Sequence, residues 1–137
     1  MRLKEIVKDG KRYGILAKNK NFPDGLHFYT KDTDFIQVGT WNYNKCQMLK
    51  AHSHKVYKRE SDITQELVFV KSGSLMVRIF DDNADGFFQE ILNQGDFLIL
   101  FSGGHSYEIL ENNTEVLEVK NGPYPGLEND KRILPNQ

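Results

Sequence analysis

Turn-forming residues interrupt this chain roughly every 8 to 12 residues, and no stretch between them holds a helical period. KEIVK and KRYGILA flank Asp9-Gly10, a pair that favours a type I′ turn because it tolerates positive φ at both centres. Pro23-Asp24-Gly25 marks a second turn, Lys71 to Ser74 a third, and DDNADG a fourth. Asn93-Gln94-Gly95-Asp96 and Asn112-Asn113 complete the punctuation. The intervening runs, among them FIQVGTWNYNKCQMLKAHSH, ELVFV, SLMVRIF, FFQEIL, FLILF, HSYEIL and EVLEVK, are rich in β-branched and aromatic residues. About nine short strands follow from this pattern, and an all-β antiparallel sandwich or barrel is the architecture that accommodates them.

With 137 residues, the chain is expected to form one domain with a sizeable core. The expected layout is an N-terminal hairpin over 1–20, a barrel core over about 35–120 and an irregular, proline-rich tail over 121–137. A net charge of −1 disfavours non-specific nucleic-acid binding. No segment has the length or apolarity of a membrane span or a leader, and one cysteine leaves no internal disulfide, so the cytoplasm is the expected location. Cys46 itself reads as a small buried hydrophobe.

Against this plain background, four side chains draw attention. His52 and His54 are two apart and would share a face on a strand. Glu66 opens ELVFV, and His105 follows Gly103-Gly104, where the backbone can turn tightly. Three imidazoles and a carboxylate suit borderline divalent ions such as Fe, Mn, Ni, Zn or Cu, whereas Mg and Ca prefer all-oxygen shells.

Those residues resemble the two motifs of the cupins, small β-barrels of the jelly-roll type. The first family motif reads G-x5-H-x-H-x3,4-E-x6-G, and here His52-Ser53-His54 matches the paired histidines while Glu66 and Gly73 fit E-x6-G. The second reads G-x5-P-x-G-x2-H-x3-N, and Gly95 through Gly103 and His105 is similar to it. The resemblance implies that His52, His54, Glu66 and His105 ligate a divalent transition metal. Eleven residues separate His54 from Glu66, so KVYKRESDITQ is expected to be an inserted loop. That loop contains Glu60 as a competing carboxylate, and the spacing to Gly73 favours Glu66. Cys46 and Phe101 replace the motif's opening glycine and its proline, His105 comes one residue early, and the final asparagine is absent. TQELVFVKSG, FSGGHSYEIL and EVKNGPYPG are also similar to small bacterial cupins associated with surface-polysaccharide and nucleotide-sugar pathways.

Around the histidines, Lys50, Lys55, Lys58 and Arg59 offer cations to an anionic ligand, with Arg59 the best suited to fork onto phosphate or carboxylate. The competing reading is a solvated loop. Tyr107 shares a face with His105 and either donates a proton or fills the core. Glu118 and Lys120 share a face of EVLEVK; they form either an acid/base pair or an exposed face, with Leu117 and Val119 turned to the core. Trp41 and Tyr43 are candidates for a wall on which a sugar stacks.

The resulting expectation is a metal-binding cupin of the isomerase or epimerase type acting on an anionic, nucleotide-linked or keto sugar. An iron-dependent dioxygenase and a non-catalytic small-molecule binder are the alternatives. A homodimer is expected from the family's habit and from strand edges beside Asp9-Gly10.

Overall fold

A computed structural model describes residues 1–18 and 21–135. Its elements, in chain order, are β1 (Arg2–Lys8), β2 (Lys11–Lys18), β3 (Gly25–Phe28), β4 (Gly39–Asn42), β5 (Glu66–Ser72) and β6 (Ser74–Phe80). There follow β7 (Gly86–Asn93), β8 (Phe97–Leu100), β9 (Gly104–Ile109), β10 (Glu115–Lys120) and one short helix, α1 (Leu127–Asp130). The architecture is therefore nearly all β, as the spacing of turns predicts. All strand pairings are antiparallel, and their ladders form three separate sheets, ordered β1-β2-β8-β5-β10, β7-β6-β9 and β3-β4. The described ladders thus do not join into one continuous barrel.

Asp9 and Gly10 adopt φ of 50° and 75°, the positive values a type I′ turn needs. The hairpin they close is no appendage, because β2 pairs with β8 in the middle of the main sheet. Register explains the burial. Gly14, Leu100, Glu66 and Lys120 form one row across β2, β8, β5 and β10, and Leu16, Leu98, Val68 and Glu118 form the next row on the same face. That front face packs Leu16, Leu98, Leu100, Val68 and Val70 against Leu75, Val77, Ile79 and Leu92 of the three-stranded sheet. Each such side chain contributes about 1.5–3 kcal/mol by leaving water.

The rear face is covered as well. Ile15, Ala17, Phe97 and Ile99 pack with Phe22, Tyr29, Ile36 and Val38 from the segment around β3. Burial on both faces is why FLIL reads as an unbroken apolar run instead of an alternating one.

Three expectations fail. Of FIQVGTWNYNKCQMLKAHSH only Gly39–Asn42 is strand; from 43 to 65 there is no strand, so His52 and His54 do not share a strand face. Cys46 is exposed, with φ of 74°, because it sits in that uncovered segment. In β10, Leu117 and Val119 are exposed on the rear face beyond the cover, whereas Glu118 and Lys120 occupy the front rows beside Val68 and Glu66.

Candidate functional site

The site lies where the front-face rows change from apolar to polar. Glu66 is the first residue of β5, in the same row as Leu100, and it is only 7% exposed. Its entry is fixed by Gln65, whose backbone N–H donates to Asn121 Oδ1 at 2.7 Å and whose side-chain oxygen accepts from Ile36 N–H at 2.8 Å. On the facing sheet, β9 pairs with β6 so that His105 stands opposite Ile79 and Tyr107 opposite Val77, both core residues. The two rings therefore project between the sheets, 5.2 Å apart.

They converge on a single atom. Glu66 Oε1 accepts the Tyr107 hydroxyl at 3.1 Å and lies 3.0 Å from His105 Nε2. Burial alone would push the Glu66 carboxyl up. The hydrogen bond and charge of His105, the Tyr107 hydroxyl and the Lys120 ammonium outweigh it and hold the group below the usual carboxylate range. Tyr107 moves the other way, raised first by burial and then by the charge and hydrogen bond of Glu66, so it acts as a neutral donor and not as a base. With Nε2–H turned to Glu66, the ring nitrogen free to exchange a proton is Nδ1, for which no partner is found among the described residues.

Lys120 closes the polar rim. Its Nζ is 3.6 Å from Glu118 Oε1 and 3.5 Å from Asp130 Oδ2. Burial works against its charge, but Asp130, Glu118 and Glu66 together raise its pKa above the ordinary lysine value, so it stays a cation. Asp130, from α1, was not among the sequence candidates; it also accepts Thr64 Oγ1–H at 3.2 Å. Nothing in the spacing of the tail marks it, because its role depends on the tail folding back beside β10.

Thus Glu66, His105, Tyr107, Glu118 and Lys120 gather at one end of the sandwich, and the other candidates stand elsewhere. His52 and His54 lie on the exposed 43–65 segment, with ring centroids 5.4 Å apart and planes at 81°, and His52 Nδ1 is paired with Lys50 O at 3.0 Å. Lys50 is exposed there too, and Arg59 donates to Tyr57 O at 3.2 Å. Arg59 does line an open depression of about 610 Å³, with Phe35, Ser61, Asn121 and Pro123, on the shoulder of the β10 end. Trp41 and Tyr43 meet edge to face at 6.3 Å near the rear of the sheet.

No protein-family model, curated protein or solved structure matches this chain.

A metal needs more donors than this arrangement supplies. Among the described residues no group of three or more His, Cys, Asp or Glu is placed to hold an ion. Glu66 and His105 provide two, and their facing atoms are engaged with each other. As arranged, the four residues do not fit a metal centre. Among the described residues no helix is long and apolar enough to cross a membrane.

Proposed function

We propose that the chain is a proton-transfer enzyme of the isomerase or epimerase type, built on a cupin-like jelly roll and acting on a carbonyl-bearing, anionic sugar derivative. The observation that carries this reading is the hydrogen-bonded Glu66–His105 pair at the polar end of an otherwise apolar sandwich. A buried carboxylate that accepts Nε2–H fixes the ring orientation and steadies the imidazolium when Nδ1 gains a proton. His105 Nδ1 removes a proton from the carbon beside a carbonyl, leaving an enolate. It returns a proton either to the other face of that carbon or to the former carbonyl carbon, in the latter case with the neighbouring hydroxyl proton passing to the former carbonyl oxygen. Lys120 supplies positive charge near the oxygen that becomes negative in between. Tyr107 keeps Glu66 in place by donating to the same oxygen.

The test is exchange in D2O, with nucleotide-linked and phosphorylated keto and aldo sugars as probes and mass spectrometry as the readout. One deuterium should enter the reactive carbon with wild-type protein and a chelator present, and His105→Ala should lower the rate by about 10²–10⁴-fold, the usual share of a general base. Exchange by His105→Ala at the wild-type rate contradicts the proposal.

A divalent metal centre is the second reading, favoured by the meeting of two of the four implied ligands, Glu66 and His105. It requires the 43–65 segment to bring His52 and His54 to that pair. Loss of exchange on chelation, restored by Fe, Mn, Ni or Zn and abolished in His52→Ala with His54→Ala, would favour it over the metal-free reading.

A further inference from the structure

On the rear of the main sheet, away from Glu66, a second depression of about 550 Å³ opens between the β3–β4 hairpin and β5. That volume falls within the range of about 300–1,000 Å³ typical of small-ligand sites. Three aromatic rings line it, Phe22, Trp41 and Phe69, together with three short polar side chains, Asn21, Asp24 and Asn42. Phe69 is a rear-face residue, alternating with the front-face Val68 and Val70, so this depression and the His105 site are separated by the thickness of the sheet.

The chemistry of the lining selects its ligand. Trp41 is 59% exposed, an unusual state for an indole in a chain with ample core to fill. Asp24 and Asn42 are held in place beside it: Asn42 Nδ2 donates to Asp24 Oδ1 at 2.9 Å and to Phe22 O at 3.3 Å. A flat aromatic face accepts the C–H face of a pyranose, while a carboxylate and amides accept and donate to its adjacent hydroxyls. Among the described lining residues there is no Lys, Arg or His, and the Asp24 carboxylate repels anions. A purely apolar ligand would cover Asp24 and the two amides without answering their remaining hydrogen-bonding capacity. The pairing of Asp24 with Asn42 also ties the hairpin ends together, but that task does not require an uncovered indole beside them.

From these observations we infer that the Trp41 depression is a binding site for an uncharged saccharide, distinct from the His105 site. The inference is independent of the proton-transfer reading, since it uses none of the same side chains.

Trp41 is the only tryptophan, so intrinsic fluorescence reports this site alone. Titration of the full chain with glucose, galactose, mannose and N-acetylglucosamine should give a saturable change in emission for at least one of them. Asp24→Ala should weaken that affinity by about tenfold or more, and His105→Ala should leave it unchanged. Should Asp24→Ala loosen the hairpin, calorimetry on Trp41→Ala provides the second variant, and saccharide heat should vanish with the indole. The inference is overturned by an absence of saturable change across the panel, by equal affinity in Asp24→Ala, by persistent heat in Trp41→Ala, or by loss of binding in His105→Ala.

Discussion

At the scale of single residues, Glu66 organises the candidate site, because both Tyr107 and His105 orient on one of its oxygens. Its depressed pKa has a signed consequence for stability. A carboxyl held below its unfolded value stabilises the fold fully above that value, about 4.3, and the contribution is lost as pH falls through the lower folded value. Glu66→Gln, which cannot carry the charge, is therefore expected to cost about 1–3 kcal/mol at neutral pH. Urea unfolding should show the gap between wild type and variant narrowing as pH drops below the ordinary carboxylate range. A gap independent of pH would mean that the charge of Glu66 plays no part. Glu66 and His105 were both legible in the sequence, one as the start of an apolar run and one after paired glycines. Their mutual contact was not, since 38 intervening residues, 67 through 104, must fold into two sheets first.

At the scale of elements, β9 delivers two of the site's side chains, and Gly103 sets its entry. Gly103 has φ of 82°, and a Cβ there would stand 2.6 Å from Phe80 O and from the Tyr13 ring. Gly103→Ala therefore meets both backbone strain and overlap, and we expect a loss of about 1–3 kcal/mol in urea unfolding together with a slower D2O exchange. Wild-type stability in this variant would show that the turn is not constrained. Most strands were readable because each is bounded by its own turn residues. The exception is 43–54, the end of a run rich in aromatic and β-branched residues, where the extended pairing that the composition suggests does not form. Propensity alone makes no strand without a partner edge, and here β4 pairs only with β3. The same limit misplaced the apolar face of β10: alternation identified two faces but not which one the three-stranded sheet would cover.

At the scale of the whole molecule, charge is segregated in a way the near-zero net value conceals. Residues 43–59 carry five Lys and Arg and no Asp or Glu, leaving 13 basic against 19 acidic residues elsewhere. The body is thus acidic, and the exposed segment carrying His52, His54 and Arg59 is basic, a field that would draw in the anionic substrate proposed above. What the body supplies is a rigid meeting of two sheets, one bearing Glu66 and the other His105 and Tyr107. The most direct test of that meeting is nitrogen NMR of the His105 ring at neutral pH, compared with Glu66→Gln. A hydrogen-bonded Nε2–H in the wild type, with the ring signals displaced in the variant, is the result expected here. A proton held on Nδ1 alone, or a spectrum that ignores Glu66→Gln, would contradict the proposed proton path.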